Sequence, residues 1–209
     1  RRRQDTSRAI NAFRQAIAKN DRLFAVYFQL AELLMGQGEL DEADRLLRRV
    51  VRAAPDEELV AQAARLSVQV NLGKGTLESL ERELLPVALG NPQKPLYRRL
   101  LVEIYGAMAF PLAHQAKSPD RAKADKAQAE LKRIGERAVK PLLDALSDEK
   151  DQQQRTAIEL LSYIENKSAG SALFAFATGT ADAELRSRAM LAVSALRDPA
   201  LLPKLGEVL

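Results

Sequence analysis

The chain has 209 residues and a mass of 23.1 kDa, and its 46% hydrophobic and 29% charged residues suit a soluble, helix-rich protein and exclude a disordered one. Cysteine is absent, which excludes disulfides, thiolate nucleophiles and cysteine metal ligands, while the absence of Trp and an aromatic share of 5% leave the apolar faces to Leu, Ala, Ile and Val. The formal charge of +4 comes from 32 basic and 28 acidic side chains mixed along the chain, a weak signal for nucleic acid. No apolar run approaches the roughly 18 to 20 residues that cross a bilayer, and the charged start "RRRQDTSRAI" lacks the apolar core of a signal peptide. The first residue is Arg and not Met, so the compartment stays open: cytoplasm by preference, periplasm if a leader has been removed.

In chain order, "TSRAINAFRQAIAKND" reads as one amphipathic helix. Phe24 to Glu57 then reads as two, with Tyr27, Leu30, Ala31, Leu34, Ala43, Leu47 and Val50 on their apolar faces, Gly38 at the turn and Pro55 at the stop. A shift of 34 residues superimposes Ala9 on Ala43, Phe13 on Leu47 and Ala16 on Val50. These positions resemble the tetratricopeptide repeat, whose unit has large, small and Pro positions at the same spacings. The first helix then matches the second half of a unit, and since a solenoid unit does not bury its apolar face alone, the expectation is that the protein continues upstream of Arg1 or that something else covers this helix. "LVAQAARLSVQV" and "TLESLERELLPVAL" form a degenerate third unit. It needs about three extra residues around "NLGKG", and Arg65 stands where the family prefers a small side chain.

"GNPQKP" reads as a linker, and "LYRRLLVEIYGAMAFPLAHQA" as a long junction helix that Pro111 should kink or end. Beyond it the period changes. Ala138, Ala169 and Ala200 are 31 residues apart, as are Pro141, Ala172 and Pro203, and Leu143, Phe174 and Leu205, which we read as matching positions of second helices. "IGERAVKPLLDALSDE" followed by "QQQRTAIELLSYIE", with Arg155 echoed by Arg186, resembles the short HEAT-like repeat of bacteria. The expected organisation is therefore tetratricopeptide-like repeats over 1–93, a junction over 94–118 and HEAT-like repeats over 119–209. The expected fold is all-α, a right-handed α-solenoid of antiparallel helix pairs. The apolar ending "LLPKLGEVL" carries no polar cap, as if the stack continues or meets a partner there.

The chemistry offered by single residues is thin. His114 is the only histidine and stands without a matched nucleophile motif, so a structural or solvent-facing role is expected and an enzyme centred on it is the weakest reading. "DEAD" at Asp41 to Asp44 reads as the charged first turn of a helix. "NLGKGT" has the wrong glycine spacing for a phosphate loop, so Gly73 and Gly75 read as turn residues, and no cofactor is called for. Lys117, Arg121, Lys123, Lys126, Lys132, Arg133, Arg137 and Lys140 form a possible anion or nucleic-acid patch, but Asp120, Asp125, Glu130 and Glu136 interleave with them. Some HEAT-like proteins, a glycosylase family among them, bind DNA through a basic surface; here there is no Trp and no aromatic cluster in the sequence to hold an exposed base.

The tetratricopeptide resemblance implies a ligand groove on the first helices, which carries over to Phe28, Gln29, Glu32 and Met35, and to Gln62 and Gln69 in the degenerate unit. The family's clamp for a terminal carboxylate has Lys and Asn where Phe28 and Glu32 stand, which points away from chaperone tails. Phe28 and Met35 suit an apolar or helical peptide, or else are buried against the neighbouring unit. The expectation is a non-enzymatic protein-interaction scaffold or adaptor, a solenoid segment of a larger protein or assembly. The alternative is a nucleic-acid-associated HEAT protein using the basic helical surface.

Overall fold

A computed structural model describes residues 2–201 and residue 203, and among them the chain is entirely α-helical, with no strand. Among the described residues ten helices follow one another: α1 (Arg2–Lys19), α2 (Phe24–Gln37), α3 (Leu40–Ala53), α4 (Glu57–Lys74), α5 (Leu77–Gly90), α6 (Pro95–Gln115), α7 (Arg121–Ala145), α8 (Asp151–Ile164), α9 (Gly170–Gly179) and α10 (Ala183–Ala195). Short 3-10 turns occupy Lys167–Ala169 and Pro199–Leu201. The chain divides into two compact units, Arg1–Arg82 and Glu83–Leu209, with the division inside α5. Of the apolar ending read as uncapped, residues 202 and 204–209, Leu205 among them, lie outside the described residues.

In the first unit α2 packs on α1, α3 and α4, and α3 packs on α4. Each helix is bounded by local chemistry. Gly38 (φ 81°) and Gly75 (φ 68°) close α2 and α4 in the left-handed conformation that glycine adopts without penalty. Behind Gly38 the Glu39 N–H reaches the Leu34 carbonyl at 2.9 Å, and behind Gly75 the Thr76 N–H reaches the Asn71 carbonyl at 2.8 Å, so the two helices stop in the same way. Asp56 caps the start of α4 by accepting from the Leu59 N–H at 2.9 Å. The core is built from Leu30, Ala31 and Leu34 of α2, Ala43, Leu47 and Val50 of α3, and Ala63 and Ala64 of α4. Fully buried alanines at 31, 43 and 63 let the backbones approach closely, and each fully buried leucine contributes about 1.5–3 kcal/mol.

Two local expectations change here. Asp44 is not a solvated first-turn carboxylate but a buried one, which holds α3 to α4: it accepts from Ser67 Oγ (2.7 Å), Asn71 Nδ2 (2.8 Å) and Arg48 Nε (2.9 Å). Asp41 is exposed and pairs with Lys74, and the half-buried Glu42 pairs with Arg14 of α1, whereas Asp44 is buried against α4. Gly73 lies inside α4, and Gly75 alone takes the turn conformation.

In the second unit α6 packs on α7 and α8, α7 on α8, α8 on α10, and α9 on α10. Helices α6, α8 and α10 thus form one row. Leu101, Ile104, Tyr105 and Ala109 of α6 meet Ile134, Ala138 and Leu142 of α7 and Ala157, Leu160 and Leu161 of α8 in its interior. Pro111 does not end α6, which runs on to Gln115. Its ring is exposed while Ala109 and Ala113 on either side are buried, so packing of the final turn outweighs the one backbone bond that proline removes. Of the positions 31 apart, Ala138 and Ala169 are buried, but Ala169 and Ala200 fall in the 3-10 turns and Ala200 is exposed. Leu143 and Phe174 are both half-buried, as matching positions require.

Asp148 fastens this unit. Its carboxylate is fully enclosed, accepting from Arg99 Nη2 at 2.8 Å, Arg98 Nη2 at 3.2 Å and the Lys150 N–H at 3.0 Å. Gln154 Nε2 donates to the Asp148 and Leu146 carbonyls, both at 2.9 Å, so the α7–α8 turn is tied to α6 and to α8 at once. Burial raises the Asp148 pKa, but Arg99, the Lys150 amide and Arg98 outweigh it and hold it below its ordinary value.

Candidate functional site

Helices α2 and α4, the first helices of successive repeats, touch one another directly in the first unit. On α2 the buried residues are Tyr27, Leu30, Ala31 and Leu34; on the other side Gln29 and Glu32 are exposed, and Phe28 and Met35 are half-buried. Neither anticipated state of Phe28 and Met35, free or fully enclosed, is what the fold adopts. On α4, Gln62 and Gln69 are exposed, and Glu58, Arg65 and Leu72 continue the same stripe at steps of three and four. Gln62 Nε2 donates to Glu58 Oε1 at 3.2 Å. Arg65, at the position where a small residue was expected, points outward and so does not disturb the core. Leu72, 52% exposed, was missed because it sits in the stretch read as a turn; the same three-and-four spacing from Gln62, Arg65 and Gln69 marks it.

Four of the basic residues expected to form a patch in the second unit are paired with neighbouring acids. Arg121 pairs with Asp125 (3.9 Å), Lys123 with Asp120 (3.7 Å), Arg133 with Glu130 (2.9 Å) and Lys140 with Asp144 (3.3 Å), mostly exposed pairs worth well under about 1 kcal/mol each that nonetheless cancel charge locally. Lys126 and Lys132 make no ion pair among the described residues. Lys117 lies 5.6 Å from the centre of the Tyr163 ring, and Tyr163 meets Phe110 edge to face at 6.1 Å. The fold therefore assembles a two-ring cluster where the sequence showed none, since Phe110 and Tyr163 sit on helices α6 and α8, far apart in the chain. Burial, and then the hydrogen bond it donates to Glu159, push the Tyr163 hydroxyl pKa up.

His114 is exposed, on the wall of a cleft of about 740 Å³ that also touches Lys117, Ser118, Lys123, Lys126 and Glu130. A second cleft of about 650 Å³ adjoins Lys117 on its other side. No helix among the described residues is long and apolar enough to cross a membrane.

Comparison with known families matches two separate parts of the chain. The family model of the tetratricopeptide repeat matches residues 1–66, and that of HEAT repeats matches residues 139–209. The chain carries tetratricopeptide repeats followed by HEAT repeats, in the order that its two spacings predict. A comparison with curated proteins finds no match. Both repeat types build helical scaffolds commonly used for protein interaction and are typically non-enzymatic.

Proposed function

We propose that this chain is a non-enzymatic adaptor whose first unit receives a peptide or helix of a partner protein across α2 and α4. The observation that carries this reading is the outward stripe of both helices. Leu72, Phe28 and Met35 supply apolar contact, and Gln29, Glu32, Gln62 and Gln69 supply hydrogen-bonding groups around it. That mixture suits a partner segment with one apolar side, since flexible Met and a partly exposed aromatic ring adapt to such a surface. Glu32 in place of a cationic clamp disfavours a bare terminal carboxylate, so an internal segment is the expected ligand.

The test is capture of the partner on immobilised protein, followed by its identification and titration. Phe28→Ala combined with Met35→Ala should lower affinity by about tenfold or more, as truncation of interface anchors does. Affinity unchanged in that double variant, with helicity intact, overturns the assignment of the groove.

A further inference from the structure

We propose that the second unit carries a separate docking cleft for an acidic, amphipathic segment of a partner protein. The cleft, about 650 Å³, lies where α6, α7 and α8 end or cross, entirely within residues 113–167. Its floor is apolar: Ala113 of α6, Leu131 of α7 and Ile164 of α8, all buried. Its rim is cationic and amide-bearing, with Lys117, Lys132 and Lys167 around it and Gln128 and Asn166 between them. Gln128, Leu131 and Lys132 share one face of α7 by their spacing, and Lys167 is brought in by the turn after α8.

The charge balance selects this place. Elsewhere on α7 Arg121, Lys123, Arg133 and Lys140 are matched by neighbouring carboxylates and Lys126 lines the other cleft beside Glu130, whereas Lys117, Lys132 and Lys167 surround this one and make no ion pair among the described residues. Glu165 is the one acid on the rim, which leaves an excess of two positive charges over an apolar floor. A bare phosphate backbone gains nothing from that floor. A segment alternating carboxylates with apolar side chains satisfies both features, with apolar groups on Leu131 and Ile164 and carboxylates toward the three lysines. Nucleic acid would instead draw on the whole length of α7, where Arg121, Lys123, Arg133 and Lys140 are already paired with acids.

Fluorescence anisotropy on the full chain tests this with three labelled probes: a short peptide alternating Leu with Glu, its copy with Gln in place of Glu, and a single-stranded oligonucleotide. The Glu peptide should bind, and should weaken as salt rises. Lys132→Glu and Lys167→Glu, both at exposed sites, should each weaken it about tenfold, and Glu165→Gln should strengthen it severalfold. Circular dichroism of each variant separates loss of binding from loss of fold. Equal binding of the Gln copy, tighter binding of the oligonucleotide, indifference to the lysine changes or no binding of the Glu peptide overturns the proposal. Because Phe28 and Met35 lie in the other unit, their substitution should leave this binding unchanged, so the two surfaces fail or stand separately.

Discussion

Arg99 grips the enclosed carboxylate of Asp148 with two nitrogens, Nη2 at 2.8 Å from Oδ1 and Nε at 3.0 Å from Oδ2. Nearly fifty residues apart in sequence, the pair joins the start of α6 to the turn between α7 and α8. Removing Arg99 leaves the enclosed carboxylate to Arg98 and the Lys150 amide alone, so Arg99→Ala should cost about 1.5–3 kcal/mol in a urea titration. The pH dependence follows from the depressed pKa. The folded-state value lies below the ordinary 3.8, so the contribution is fully present above that pH and is lost as the pH falls through the folded value. Asp148→Asn should therefore be less stable than the parent at neutral pH, with the gap narrowing in acid.

Asp44 and Asn71 should behave as one network. Asn71 donates to Asp44 and to the Ser67 carbonyl, and accepts from Thr76 Oγ1 at 2.8 Å. Asp44→Ala or Asn71→Ala strands buried polar groups and should cost about 2–3 kcal/mol each. The double variant should cost clearly less than the sum, since the shared bond is lost only once; additive losses in denaturant melts would show that the two act independently.

Gly135 lets α7 cross close to α8. A methyl group there would fall on the Ile164 Cγ2 methyl, far inside van der Waals contact. Alanine gains about 1 kcal/mol of helix propensity, but overpacking costs about 1–3 kcal/mol, so Gly135→Ala should lower the melting temperature. Adding Ile164→Ala to Gly135→Ala should cost less than the two separate losses combined.

Glu165 closes α8 in the left-handed conformation, at φ 52° and ψ 31°. An L-residue there bears about 1–2 kcal/mol of strain, whereas glycine forfeits about 0.4–1 kcal/mol through its freer unfolded chain. Glu165→Gly should therefore stabilise the second unit by about 0.5 kcal/mol, read as a small rise in melting temperature.

The two repeat periods and the helices were legible because apolar spacing is imposed by each helix on itself. Tyr27, Leu30, Ala31 and Leu34 are buried together, and Gly38 turns where expected. What escaped depends on contacts between distant segments. Asp44 looks like any carboxylate in a first turn until Ser67 and Asn71 arrive from α4. Pro111 looks like a stop until burial of Ala113 is counted. On the candidate surfaces, sequence spacing gave which side chains share a helix face and that interleaved acids such as Asp125 and Glu130 stand within reach of Arg121 and Arg133, but not that Lys132 stays unpaired. Lys167 and Tyr163 joined Lys117 only through the folded return of α8.

The matching closures of α2 and α4 carry a lesson about inserted length. Gly38 and Gly75 stand three residues further apart than the 34-residue period, and α4 has 18 residues against 14 in α2. Three residues advance a helix by about 4.5 Å and about 300°, close to one revolution. The side of the rod that meets its neighbour is thus turned by only about 60°, whereas gaining two residues would swing it by about 200°. Excising three residues from the last turns of α4 should consequently leave a foldable protein, while excising two should not.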